Sequence, residues 1–296
     1  MTPTTLIFQD SQGNLPPDSR SHDEATTARA PYRQCAPGYT RLRMHVSYDG
    51  TDFVGWQRQN TNKTNTVQGS IEEAVSKIAG EFVRVLGASR TDAGVHAVGQ
   101  VAHFDFPKNA EGWDFRYALQ GMTPDSLVIK DLFLAPRDFH AIASVTDKVY
   151  RYRILNRQIP SALRRRYVHW VRFPLDVDHL NASARYLVGK QDFKALQTAG
   201  TIVKTTVRTI TEASWQKLDH DVLEFTVRGD GFLKQMVRNA VGTMIDLNMN
   251  ERPPEKMREI LETLDRRKAG PSAPAHGLFL DRVNYPESVD NECRRL

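Results

Sequence analysis

The hydrophobic period of this chain changes repeatedly between two residues and about 3.6 residues. In RLRMHVSY, residues 41–48, apolar and polar side chains alternate, which is typical of a half-buried β-strand. In TVQGSIEEAVSKIAG, residues 66–80, apolar residues recur at helical spacing, with Thr66 as candidate N-cap and Gly80 as the end. Because strands often come in pairs between the helices, we predict the α+β class, an α/β sandwich with mostly antiparallel sheets and helices on one face.

The same patterns predict elements along the rest of the chain. The predicted strands are FVRVLGAS, GQVAHFDF, LVIKDLFLA, KVYRYRIL, VRTITEASWQKL, DVLEFTVRGD and GLFLDRVNY. The predicted helices are WDFRYALQGM, DVDHLNASARYLVGK, FLKQMVRNAVGTMIDLN and a last one over residues 254–266. For the second of these helices, Asp176 or Asp178 is the expected cap and Gly189 the expected end.

The predicted elements fall into two units that join near residues 143–148. We predict an N-terminal unit over residues 41–145, a C-terminal unit over 146–287 and a tail over 288–296. Residues 1–40 are rich in Ser, Thr, Asp and Pro without a hydrophobic period, which predicts a disordered extension. This segment lacks the apolar core of a secretory signal, and its acidic residues argue against a transit peptide.

The positive charge of the chain is modest but clustered. The net charge is +5, and basic residues concentrate at 41–43, 150–153, 163–167 and 265–268. Such clusters are the electrostatic footprint of a polyanion-binding protein, although solvated surfaces give the same pattern.

Cysteine and histidine spacing gives no sign of a metal site. The two cysteines, Cys35 and Cys293, lie near opposite ends, which fits a reducing compartment such as the cytoplasm. His96 and His103 lack partners at zinc-ligand spacing, so we expect no metal. No apolar run is long enough for a transmembrane helix, so none is expected.

The stretch GASRTDAGVHAVGQVAHF, residues 87–104, combines charged residues with several glycines. Gly94 allows a tight turn two residues after Asp92 and ahead of a strand, and loops on rigid scaffolds often carry chemistry. Asp92 could be a structural ion-pair or turn residue, or a nucleophile or base kept ionised by a nearby cation.

Three other features allow both a structural and a functional interpretation. Tyr150 is either a core aromatic or, among basic neighbours, a platform for a nucleobase. Arg238 lies in the apolar helix MVRNAVG, so it either has an anionic partner or extends to solvent. LRRRY, residues 163–167, is a solvated face or a nucleic-acid contact.

Taken together, these segments resemble the TruA family of tRNA pseudouridine synthases. The resemblance extends over residues 41–285 and is carried, in the family's order, by YDGTDFVGWQRQ, VQGSIEEAV, SRTDAGVHAVGQVAHF, DFHA, YRYRILN, LVGKQDF, FLKQMVRNAVG and APAHGLFL. It implies two subdomains like RNA recognition motifs that form one pseudouridine synthase core. It also implies isomerisation of uridine to pseudouridine at positions 38, 39 and 40 of the tRNA anticodon stem-loop, by a homodimer without cofactor or metal.

The resemblance assigns roles to individual residues. Asp92 matches the catalytic aspartate, and Tyr150 matches the tyrosine that stacks on the target uracil. Arg90 matches an arginine that assists base flipping, and Arg238 matches one paired with the catalytic acid. Leu278 matches an apolar residue of the uracil pocket.

The RNA contacts expected from the same motifs are Arg58, His140, Arg164, Arg165 and Arg166. Two positions depart from the family's pattern. Ser89 stands where a glycine is usual, which would cost about 1 kcal/mol if the position needs a positive φ. Ile142 stands where an arginine is frequent, and an isoleucine cannot bind phosphate.

Two alternative functions remain open from the sequence. A tRNA-binding or chaperone protein on the same fold would need no catalytic residues, and intact Asp92, Tyr150 and Arg238 weigh against it. A metal-dependent nuclease or phosphoesterase would need a cluster of carboxylates, which the sequence lacks.

Overall fold

The structure is a computed structural model that describes residues 34–59, 65–111, 114–200 and 203–296. Most of the predicted N-terminal extension, residues 1–33, lies outside the described residues. The described part of that extension packs on the protein, since Cys35 is 2% exposed and its N–H donates to the Arg137 carbonyl at 2.9 Å.

Within the described ranges the chain forms eleven strands and six α-helices. The strands are β1 Thr40–Tyr48, β2 Leu86–Gly87, β3 His96–Phe106, β4 Leu127–Leu134, β5 Asp147–Asn156, β6 His169–Val171, β7 Gly189–Asp192, β8 Val207–Lys217, β9 Val222–Gly229, β10 Leu278–Asn284 and β11 Arg294–Arg295. The helices are α1 Val67–Ala79, α2 Phe115–Gln120, α3 Val177–Ala184, α4 Met236–Met249, α5 Lys256–Glu262 and α6 Glu287–Glu292.

All these strands join in one sheet. Its order is β11-β4-β1-β3-β10-β5-β9-β8-β7, with β2 added to β3 and β6 added to β5. The strand pairs are antiparallel except β3 with β10 and β5 with β6. This confirms the predicted α+β class with a mostly antiparallel sheet.

Strand β10 joins the two halves of the sheet. It is parallel to β3 on one side and antiparallel to β5 on the other. The proposed tail, residues 288–296, supplies β11, which pairs with β4 and forms one edge of the sheet. The strands of the two predicted units therefore share one sheet, and the last residues of the chain return to the N-terminal half.

Helix α1 begins and ends where its sequence predicts. The Thr66 hydroxyl accepts a hydrogen bond from the Gly69 N–H, and Gly80 ends the helix with a left-handed φ of 80°. These are the local interactions expected of a helix cap and a C-terminal glycine.

Helices α3 and α4 differ from their predicted extents. Asp176 caps α3 as expected, but the helix ends at Ala184, and Gly189 with a φ of 118° opens β7 instead. Helix α4 begins at Met236 because Gln235 has a left-handed φ of 59°, which no α-helix can include. Arg238 therefore lies in the first turn of α4.

The prediction that β1 is half-buried is wrong, because its basic residues are also covered. Arg41 is 4% exposed; its side chain pairs with Asp105 and donates to the Phe139 carbonyl. Arg43 is 5% exposed, pairs with Asp290 of α6 and lies 4.5 Å from the Tyr285 ring centroid. The basic cluster at 41–43 therefore stabilises the fold and is not a surface for a polyanion.

Candidate active site

Asp92 lies on the turn that joins β2 to β3. The Val95 N–H donates to the Asp92 carbonyl at 3.2 Å, and Gly94 has a left-handed φ of 77°, which confirms the expected turn. The Thr91 carbonyl accepts the Trp56 N–H at 3.0 Å. Backbone hydrogen bonds thus fix the turn, while the Asp92 side chain remains 29% exposed.

Arg238 is the ionic partner of Asp92. Its Nη1 lies 3.0 Å from Asp92 Oδ2, and its Nε donates to the Ala273 carbonyl at 2.8 Å. The arginine side chain is only 14% exposed. Of the two interpretations of Arg238, the structure supports the anionic partner, and the second hydrogen bond fixes the direction of the guanidinium toward Asp92.

Tyr150 extends from β5 toward the turn that carries Asp92. The side chain is 5% exposed, and its hydroxyl lies 2.8 Å from Ser89 Oγ. The Phe232 ring contacts its face edge-on, with ring centroids 5.0 Å apart. Burial raises the pKa of Tyr150 to about 12, with the Asp92 charge acting in the same direction, so the phenol is protonated at neutral pH.

Ser89 carries no backbone strain. The described non-glycine residues with a positive φ are His220, Asp221, Gln235, Glu251 and Leu264. The energetic cost expected for a serine in place of glycine therefore does not apply, because it required a positive φ at residue 89. The Ser89 N–H instead donates to Gln100 Oε1 at 3.2 Å, and Gln100 Nε2 donates to the Ser89 carbonyl at 2.7 Å.

Leu278 opens β10 at the boundary between the two halves of the sheet. It is 5% exposed and pairs with Tyr152 of β5. The expected tight backbone path before it is present, since a Cβ on Gly277 would lie 2.7 Å from the Tyr152 ring. Its place beside β5 puts an apolar side chain on the strand next to the one that carries Tyr150.

Arg90 is exposed and lies two residues before Asp92 on the same segment. Its neighbours Ser89 and Thr91 are both buried, so the side chain of Arg90 extends outward between two buried residues. The structure thus joins Asp92, Arg238 and Tyr150 through direct contacts or charge, and leaves Arg90 at the rim.

Two of the predicted RNA contacts already have partners in the protein. Arg58 pairs with Glu72 at 3.3 Å and lies over the Phe82 ring. His140 Nδ1 accepts the Ile142 N–H at 3.1 Å and the Ala143 N–H at 3.3 Å. Burial lowers the pKa of His140, which disfavours an imidazolium. Their roles in RNA binding stay predictions.

The basic residues Arg164, Arg165 and Arg166 lie on a segment that docks beside the catalytic turn. The Tyr167 hydroxyl donates to Asp49 Oδ2 at 2.7 Å. His96, the first residue of β3, has its Nε2 at 2.9 Å from the Arg166 carbonyl. Arg165 and Arg166 are exposed, so their guanidinium groups are accessible near the site.

The sequence interpretation missed the partial burial of Lys148, which it named only as a basic neighbour of Tyr150. The residue lies two positions before Tyr150 and therefore on the same face of β5. Its Nζ donates to the Ala88 carbonyl at 2.7 Å. Burial lowers the pKa of Lys148 to about 8, and the nearby charge of Arg208 adds to the effect. Phe232, which contacts Tyr150, was also missed, although it opens the FLKQMVRNAVG motif.

The lowered pKa of Lys148 predicts a pH-dependent stability. Between about pH 8 and pH 10 the folded protein has lost this proton and the unfolded chain keeps it, so the free energy of unfolding rises with pH. Lys148→Met removes this term. We expect the unfolding free energy of the unmodified protein, relative to that of the variant, to increase from pH 7 to pH 10 by at most about 3 kcal/mol.

Chemical denaturation at several pH values measures this difference. Partial exposure of the side chain makes the gain smaller than that upper bound. The matched control is Lys190→Met, which removes an exposed lysine and should give a constant difference. A pH-independent difference for Lys148→Met would contradict the assignment.

Across the described ranges, no group of three or more His, Cys, Asp and Glu side chains is arranged to hold a metal ion. The described helices include none that is long and apolar enough to span a membrane.

Comparison with known proteins gives consistent matches along the chain. A family model described as tRNA pseudouridine synthase matches residues 44–141 and 183–286. The chain is 48% identical over 260 residues to tRNA pseudouridine synthase A of Bdellovibrio bacteriovorus. The match covers 87% of this chain and 99% of that protein. It is 46% identical over 245 residues to the protein of that name from Brevibacillus brevis, covering 83% and 99% respectively. It is also 43% identical over 244 residues to tRNA pseudouridine synthase A of Acetivibrio thermocellus. That match covers 82% of this chain and 99% of the relative.

Proposed function

The chain belongs to the tRNA pseudouridine synthase family, and on that premise we propose that it isomerises uridine at positions 38, 39 and 40 of the tRNA anticodon stem-loop. The observation that carries the proposal is the ion pair between Asp92 and Arg238 beside the buried Tyr150. An acid held by a directed arginine, next to an aromatic ring, suits chemistry on a nucleoside.

Asp92 is the catalytic aspartate in this proposal, and its carboxylate acts as nucleophile or base. The reaction breaks the C1′–N1 bond, turns the uracil and joins C5 to C1′. The carboxylate either forms a covalent adduct or removes a ribose proton, and both routes need the ionised form. The 3.0 Å contact with Arg238 Nη1 fixes the position of the carboxylate.

Tyr150 stacks on the target uracil, and its phenol oxygen is the candidate acceptor of the C5 proton once the phenol has given up its own proton. Burial opposes the second role, because a pKa of about 12 leaves the phenol protonated at neutral pH. The hydrogen bond with Ser89 acts in the opposite direction and lowers that pKa. The contribution of Tyr150 therefore depends on the surroundings of its hydroxyl as well as on its ring.

In this proposal Arg90 helps the base to leave its stack, and Leu278 holds the flipped base. The target uridine must leave its stack to reach a buried site, which costs unstacking energy. Arg90, exposed at the rim beside Asp92, can fill the space that the base vacates. Leu278 gives the detached uracil an apolar wall, which keeps it from escaping into water.

We propose tRNA binding through Arg164, Arg165 and Arg166, with Arg58 and His140 as further contacts. The docking of this segment on Asp49 and His96 supports the proposal, because it holds the exposed Arg165 and Arg166 near the catalytic turn. Phosphate contacts of this kind position RNA without reading its sequence.

The family resemblance supports a homodimer that works without cofactor or metal. The two cysteines are free thiols, which supports a cytoplasmic location. The units 41–145 and 146–287 are proposed as the two halves that meet at the active site, since Asp92 comes from the first and Tyr150 from the second.

Release of tritium from uracil C5 tests the proposed substrate. Three anticodon stem-loop transcripts would each carry labelled uridine at one of the three positions, in the presence of EDTA. We expect release from all three, and none from a transcript with cytidine at these positions. Absence of release from every transcript would refute the proposal, and release from one alone would limit it to that position.

A further inference from the structure

The hydroxyl of Tyr150 is hydrogen-bonded to Ser89. Its oxygen lies 2.8 Å from Ser89 Oγ, and both side chains are buried, with 5% and 9% of their surface exposed. Among the described residues, Ser89 is the only hydrogen-bonding partner of this hydroxyl. A buried hydroxyl without a partner is costly, so this contact, in which either hydroxyl could donate, holds the phenol oxygen in place.

Ser89 itself is held rigidly. The Gln100 amide, which is 0% exposed, bonds both the N–H and the carbonyl of Ser89. The preceding residue, Ala88, donates its N–H to Val101 at 2.7 Å and accepts from Lys148 at 2.7 Å. The backbone of Ser89 is therefore fixed against the core, and its hydroxyl bonds the phenol of Tyr150.

We propose that Ser89 is a positioning residue, whose hydroxyl holds the phenol oxygen of Tyr150 in the place from which its deprotonated form can accept the C5 proton. A glycine at this position, as in the family's usual pattern, supplies no such group. Ser89 lies three residues before Asp92, so one short segment positions both reacting side chains. The inference rests on the role of Tyr150 proposed above.

The variant Ser89→Ala removes only the hydroxyl and keeps the Cβ. We expect kcat for tritium release to fall about fivefold, the effect of one lost neutral hydrogen bond. KM should stay unchanged, because the ring of Tyr150 remains available to stack on the base. In protein labelled with ¹³Cζ-tyrosine, the resonance of Tyr150, assigned by its loss in Tyr150→Phe, should shift in Ser89→Ala.

A double-mutant cycle separates positioning from general loss of structure. In the Tyr150→Phe background, Ser89→Ala should cause no further decrease in kcat. The matched control is Ser76→Ala, which removes a buried hydroxyl bonded to the Val83 N–H and should leave both kcat and the Tyr150 resonance unchanged. Ser89→Gly serves as a second variant without the hydroxyl and should behave like Ser89→Ala.

The outcomes distinguish this inference from the proposed function. If Tyr150→Phe releases tritium at the normal rate, the role of Tyr150 in the proposed function is wrong, whatever the resonance shows. If Tyr150→Phe is slow but Ser89→Ala is not, the positioning role is overturned. It is also overturned if Ser89→Ala slows both backgrounds equally, or if the Tyr150 resonance does not move.

Discussion

Asp92→Asn should lower tritium release from uracil C5 by at least about a thousandfold. The amide oxygen can still accept the hydrogen bond from Arg238, so the turn should keep its shape. A neutral amide, however, is neither a nucleophile for C1′ nor a base for a ribose proton. The loss should therefore appear in kcat, while the affinity for tRNA, measured by filter binding, stays within about twofold.

Asp219→Asn is the matched control for this variant. It makes the same chemical change at an exposed acid in the turn between β8 and β9, away from the site. It should release tritium at the normal rate. Sustained release by Asp92→Asn would show that another group carries the chemistry, and equal loss of tRNA binding would indicate a binding role for Asp92.

Arg238→Met should have the second largest effect, a decrease in kcat of about a hundredfold. The guanidinium makes two directed contacts, to Asp92 Oδ2 and to the Ala273 carbonyl, and methionine makes neither. The carboxylate of Asp92 then loses its fixed position. Because small displacements of a reacting group are costly, the rate should fall even though Asp92 is intact.

Arg238→Lys tests whether charge alone is sufficient. Lysine keeps the positive charge but has one ammonium group, which cannot replace two separated N–H donors. We expect its kcat to lie between those of Arg238→Met and the unmodified protein. Arg258→Lys, on the exposed face of α5, is the control and should leave kcat unchanged. Full activity of Arg238→Lys would mean that charge, and not direction, is what Asp92 requires.

Local sequence predicted the elements whose ends depend on neighbouring residues. Thr66 and Gly80 define α1 because a cap and a left-handed glycine act within one helical turn. The start of α4 was predicted too early because Gln235 adopts a left-handed backbone conformation, which a glutamine in the sequence does not indicate. The burial of Arg41 and Arg43 was also missed, since the segments that cover them come from distant parts of the chain.

By itself, the sequence determined the α+β class, the turn at Gly94 and, through its motifs, the resemblance that identifies Asp92 as the candidate acid. Periodicity, capping and turns are short-range properties that a single stretch of residues carries. The tertiary structure shows that Arg238, 146 residues away, pairs with Asp92, which only the resemblance had implied. It also decided that Ser89, which the sequence marked only as a departure, bonds Tyr150, because the sheet brings β5 against the segment before β3.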